Sequence, residues 1–277
     1  MPVAFVLSGG ASLGASQAGM LEALYERGIR PDIVVGTSVG AINGAFIASR
    51  PPTVRTARDL QRIWRALTRA HVFPANPVTA GLGLLGLRDH TVSAGSLRRL
   101  IHRHLQIERL EDAAVGLHVV AVDVMTGEEV LLSTGHAVDA VLASAAIPGV
   151  FPAVPWNSYL LMDGAVANNA PVSHAIELGA DRVIVLNAIG TKPLSRAPRG
   201  VLATGAAAVS HALVRRLAED VVRYADAAEM VILPAPQLEG IMPSDFGHAH
   251  DLIAQGLARA RSVLPHAGEV VQLPLAA

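Results

Sequence analysis

Twice within its first fifty residues the chain runs from a short apolar stretch through a glycine turn into residues at helical spacing. Val3 to Leu7 ends at Ser8-Gly9-Gly10, after which Met20, Leu21, Leu24 and Tyr25 recur with the period of a helix that Gly28 closes. Asp32 to Gly36 is the second run, and Val39 to Ser49 the second helix. Parallel strands cannot be joined by a tight turn, so this alternation implies a parallel sheet covered by helices. Such a sheet needs a large apolar interior. The 277 residues supply one: 51% are apolar and 16% charged, against ~25% charged in an ordinary domain.

The rest of the chain continues in the same manner. Thr53–Thr68, Ser96–Leu105, Ala137–Ser144, Pro171–Leu178, Val201–Tyr224 and His248–Leu264 read as helices. Leu117–Val124 and Glu129–Leu132 read as a hairpin, and Tyr159–Met162, Arg182–Leu186 and Met230–Leu233 as strands. No repeat and no linker interrupts the sequence, so a single domain over residues 1–277 is expected, a three-layer α/β/α sandwich on a mainly parallel sheet. His71 to Thr91 has no clean period and is rich in Gly, Leu and Pro. Residues 71–95 read either as an apolar lid or as a surface loop.

Several functions are disfavoured at once. Twenty-two basic residues against 23 acidic ones give a net charge of −1, so nucleic acid is not an expected partner. There is no cysteine for a thiolate metal site or nucleophile, and Lys192 is the only lysine. The N-terminus has no basic region ahead of its apolar run, so no secretory signal is expected. Ile33–Ser49 and Ala140–Met162 are uncharged, but glycine and polar residues break the first and three prolines the second, so neither reads as a spanning helix. A cytoplasmic location follows, with peripheral contact to a membrane left open. Nothing in the sequence sets the oligomeric state.

Gly36-Thr37-Ser38-Val39-Gly40 fits G-x-S-x-G between a strand and a helix, the context a nucleophile elbow requires. A serine there stands at a helix N-terminus, which favours developing negative charge; the alternative is an ordinary capping serine. The loop Ser8 to Gly14 lies at the same sheet edge and offers backbone N–H groups for an oxyanion. Its likeness to a phosphate-binding loop fails because Ala15 occupies the lysine position. Asp163-Gly164 ends an apolar strand, where burial would raise a carboxylate toward useful basicity. The same dipeptide also serves as a plain turn.

Other patterns carry less. Gly81-Leu82-Gly83-Leu84-Leu85-Gly86 matches G-x-G-x-x-G, but no strand leads into it and no helix clearly opens there. His102/His104 and His248/His250 have a spacing that points them apart on a helix, with no carboxylates to complete a metal site. Histidines 174, 211, 248, 250 and 266 follow Asp163, so a Ser–Asp–His order is formally available, with His248 the best placed.

Together these blocks resemble the patatin-like phospholipase family. Val6-Leu7-Ser8-Gly9-Gly10, Gly14 and Ala18-Gly19-Met20-Leu21 resemble its opening, and Gly36 to Gly44 its nucleophile segment. Ala143-Ser144 through Pro148-Gly149-Val150-Phe151-Pro152 is similar to the loop before its aspartate. Asp163-Gly164-Ala165 with Asn169 and Pro171-Val172 is similar to the aspartate segment. The resemblance implies a Ser38–Asp163 dyad acting on an acyl-ester lipid through an acyl-enzyme. It also implies an oxyanion hole at Gly9, Gly10 and Ala11, with no metal and no cofactor. Ala11 stands where a third glycine is usual, and can donate its N–H if its φ is negative. Leu13 stands where a cation is usual, which lowers the expected preference for anionic head groups. Acyl transfer to an alcohol or thiol on the same dyad, or lipid binding without turnover, are the alternatives.

Overall fold

The computed structural model describes residues 1–74, 76–190, 197, 200–237 and 241–264. Strand β1 (Val3–Leu7) passes through a 3₁₀ turn, Ala11–Gly14, into helix α1 (Ala15–Glu26). Strand β2 (Ile33–Thr37) then leads into α2 (Val39–Ala48). Four helices without a strand between them follow: α3 (Val54–Ala66), α4 (Arg69–Val72), α5 (Pro77–Leu84) and α6 (Gly95–His104). The chain continues as β3 (Gly116–Asp123), β4 (Glu129–Leu132), α7 (Ala137–Ser144), β5 (Val154–Trp156) and β6 (Tyr159–Asp163). It closes with α8 (Val172–Glu177), β7 (Arg182–Leu186), α9 (Val201–Arg223), β8 (Glu229–Leu233) and α10 (Ala249–Val263).

The strands form one sheet hydrogen-bonded along the path β5-β6-β3-β2-β1-β7-β8, with β4 also paired to β3. From β3 to β8 this path is parallel, whereas β4, β5 and β6 are attached antiparallel. Side chains alternate across the pleat. Phe5 and Leu7 of β1 enter a large core with α1, α2, α3, α7 and α10, whereas Ala4 and Val6 enter a smaller one with α8 and α9. The result is a three-layer α/β/α sandwich. On the larger face α1 and α10 touch backbone to backbone: a Cβ on Gly19 would lie 2.1 Å from the Ile253 carbonyl oxygen.

The short helix α4, helix α5 and strand β5 differ from the sequence reading. Helix α5 covers the first half of the G-x-G-x-x-G stretch, where no helix was expected. Its start is nevertheless well specified, since Asn76 Oδ1 accepts from the N–H groups of Val78 (3.0 Å) and Thr79 (3.2 Å), and Pro77 opens the first turn. Strand β5 contains Pro155, and its place at the end of the sheet path accommodates a residue with no N–H to donate.

Strand β3 sets the geometry of the site. It pairs with β2 through Thr37↔Val120, with β6 from Ala121↔Asp163 onward, and with β4 across Val119 to Val122. Because β4 overlaps both of the others, β2 and β6 must share the opposite edge of β3. They run in opposite senses, so their C-terminal ends meet head to head opposite consecutive residues. Residues Ser38 and Asp163 lie at that junction.

Candidate active site

The turn at Ser38 is strained, and its neighbours make it sterically possible. Ser38 has φ 55 and ψ −124, a backbone region costly for any residue with a Cβ. The turn folds so tightly that a Cβ on Gly36 would lie 2.5 Å from the Gly40 carbonyl oxygen, and one on Gly40 would lie 2.0 Å from that of Leu7. Both outer positions of G-x-S-x-G therefore exclude a side chain. Ser144, fully buried at the end of α7, accepts the Ser38 N–H at 2.8 Å and donates to the Val120 carbonyl at 2.5 Å. It clamps the elbow to β3.

The Ser38 hydroxyl donates to Asp163 Oδ2 at 2.7 Å, and both residues are buried. The other carboxylate oxygen, Oδ1, accepts the Ala165 N–H at 2.9 Å. Burial outweighs both hydrogen bonds and pushes the Asp163 carboxyl up to about 6. Asp163 is thus mostly ionised at neutral pH yet far more basic than a free aspartate. No histidine bonds either residue among those described. His248 is exposed and ion-paired with Asp245 at 3.3 Å, His174 is held by Glu129 and Glu177, and His211 and His250 are exposed. His266 lies outside the described residues.

The glycine loop differs in detail from expectation. Gly9 donates its N–H to the Asn169 carbonyl at 3.1 Å, so that group is already occupied. The N–H groups of Gly10 and Ala11 donate to no described residue. Ala11 has φ 48, not the negative value anticipated. This left-handed conformation costs an L-residue roughly 1–2 kcal/mol but leaves its N–H free. Val39 adds another unpaired N–H in the first turn of α2, a donor that follows from the elbow geometry.

Buried amides tie these parts together. Trp64 Nε1 donates to Asn43 Oδ1 (3.0 Å), and Asn43 Nδ2 donates to Gln17 (2.8 Å) and to the Gly14 carbonyl (3.0 Å). Gln17 in turn donates to the carbonyls of Ser8 (2.8 Å) and Leu186 (3.0 Å). The loop after β1 is thereby fixed against α2. On one side of Ser38 opens a narrow cavity of about 80 Å³. Ile42, Phe46, Trp64, Ile101, Phe151 and Phe246 are among its walls, and His104 and Asn43 add polar atoms. Among the described residues no group of three or more His, Asp or Glu could hold a metal ion.

A family model for patatin-like phospholipase matches residues 5–176, more than half of the chain. The chain belongs to the patatin-like phospholipase family. Human patatin-like phospholipase domain-containing protein 6 is 30% identical over 187 residues, covering 67% of this chain and 13% of that protein. Lysophospholipase NTE1 of Kluyveromyces lactis is 24% identical over 298 residues, covering 98% of this chain and 20% of that protein. The chain therefore spans a small fraction of the length of these relatives. VipD from Legionella pneumophila is 15% identical over 95% of this chain and 67% of that one, at a TM-score of 0.46. The strained φ of Ala11 gives a physical reason for glycine being the usual patatin-like residue at that position.

Proposed function

We propose that the chain is a single-domain serine hydrolase of acyl-ester lipids that works through a Ser38–Asp163 dyad. The observation that carries this reading is the 2.7 Å hydrogen bond between Ser38 Oγ and a buried aspartate of raised pKa. Asp163 takes the hydroxyl proton as Oγ attacks the ester carbonyl. The carbonyl electron pair moves onto oxygen, and the unpaired N–H groups of Gly10, Ala11 and Val39 receive it. Collapse expels the alcohol, which leaves with the proton from Asp163. Water then attacks the acyl-enzyme, with the same carboxylate as base.

The apolar cavity beside Ser38 supports a fatty acyl chain as the bound group. One narrow cavity suits a single chain, in keeping with the name of one relative, lysophospholipase NTE1. Val78 (70% exposed), Leu85 (75%) and Leu87 (70%) leave apolar surface on the 71–95 segment, whose Val72 and Phe73 line the cavity. That continuity supports a lid that meets a lipid surface. The test is turnover of a p-nitrophenyl ester and of a lysophospholipid by the chain and by its Ser38→Ala variant. Fatty acid released only by the unaltered chain supports the reading, and equal release by both refutes it.

A further inference from the structure

Asn169 lies beside the dyad with its side chain unused. It is 5% exposed, and its Oδ1 is buried without a hydrogen-bond partner. Its Nδ2 donates to no described residue either. Its neighbour Asn168 also has an unpartnered buried Oδ1, but its Nδ2 is engaged, donating to Glu129 (2.9 Å) and Ser173 (3.2 Å). A buried carboxamide left wholly unpaired lowers stability, and such groups persist where a ligand supplies the missing partner.

Its position identifies the ligand. The place a Gly9 Cβ would occupy is 2.5 Å from Asn169 Oδ1 and 3.1 Å from Ser38 Cβ, so the amide and the serine flank one spot. The Asn169 carbonyl also accepts the Gly9 N–H, which removes that group from the set of oxyanion donors. A half-turn of the amide breaks no hydrogen bond to a described residue and brings Nδ2 to the place that Oδ1 holds. In that orientation a donor, in place of the acceptor oxygen, faces the spot beside Gly9.

We propose that Asn169 is a further catalytic residue, whose Nδ2 donates a hydrogen bond to the oxygen of the reacting ester carbonyl. This inference rests on the dyad reading. As Ser38 Oγ bonds to the carbonyl carbon and its proton passes to Asp163, the carbonyl pair moves onto oxygen. That oxyanion accepts from Asn169 together with Gly10 and Ala11. The side chain takes the place of the donor that Gly9 has spent.

The test is the kinetics and melting of Asn169→Leu and Asn169→Ala with a short-chain p-nitrophenyl ester, alongside Ser38→Ala. Removal of one oxyanion donor lowers kcat about 100-fold. The expected result is that loss with KM within threefold and Tm no lower than the unaltered chain, since an orphaned oxygen has been removed. Asn169→Ser, which keeps a donor, should recover part of kcat. Turnover within threefold in both variants overturns the proposal. So does a loss of kcat that comes with a fall in Tm in both, which assigns Asn169 to the fold. A Ser38→Ala variant that stays active refutes the dyad itself, a separate failure.

Discussion

At the residue scale the account rests on a serine in a strained turn and a buried aspartate. Ser38→Ala should keep the circular dichroism of the unaltered chain and lower kcat at least about 1,000-fold, because in the proposed mechanism Ser38 alone forms the acyl-enzyme. Asp163 yields a prediction of opposite sign in activity and stability. Its folded pKa of about 6 exceeds the ordinary 3.8, so between those values the folded state holds a proton that the unfolded chain has released. Stability therefore falls as pH rises through that window, and above it the buried carboxylate costs about 3 kcal/mol. Asp163→Asn should abolish turnover yet melt higher than the unaltered chain at pH 8, with the gain gone near pH 4. In the unaltered chain kcat/KM should drop tenfold per pH unit below about 6. His248→Ala and His250→Ala should each cost less than tenfold, since neither residue bonds the dyad. A histidine variant as inactive as Ser38→Ala would move the base to that residue.

At the element scale the sequence was legible wherever periodicity and glycine punctuation agreed. Strand β2, the elbow and α2 followed from a β-branched run, two glycines and an apolar stretch, and α7 matched its expected limits Ala137–Ser144. Periodicity failed in short or glycine-rich pieces. Strand β5 has three residues, too few for a period, and glycines masked α5 although Asn76-Pro77 capped it. Of the site, Ser38 and Asp163 were readable because one directly follows a strand and the other ends one. The commitments of Gly9 and Ala11 were not, because a backbone donor's partner and the sign of φ depend on contacts from distant segments such as Asn169. Ser144 and Asn169 were visible as motif positions, but their tasks are tertiary. The close crossing of α1 and α10 carries its own prediction. Gly19→Ala would place a Cβ 2.1 Å from the Ile253 carbonyl oxygen and should destabilise the fold by about 1–3 kcal/mol in urea melts. An unchanged midpoint would show that the two helices separate at little cost.

At the scale of the whole molecule, one sheet edge gathers the parts of the site. The loop after β1, the elbow after β2 and the end of β6 converge there, and α2, α3, α4 and α6, all between β2 and β3, help to wall the cavity. Among the described residues no helix is long and apolar enough to cross a membrane. Lipid contact is proposed for the exposed apolar residues near α5, Val78, Leu85 and Leu87. Leu85→Asp with Leu87→Asp should weaken cosedimentation with phosphatidylcholine vesicles severalfold and spare turnover of a water-soluble ester. Binding unaffected by both charges would place the lipid contact elsewhere. The central claim, Ser38 as nucleophile with Asp163 as its base, has one most direct measurement. It is peptide-mapped mass spectrometry after timed exposure to a fluorophosphonate, on the unaltered chain and on Asp163→Asn. The account predicts one adduct on Ser38, formed at least 100-fold faster in the unaltered chain. An adduct on another residue, none at all, or equal rates in the two proteins would contradict it.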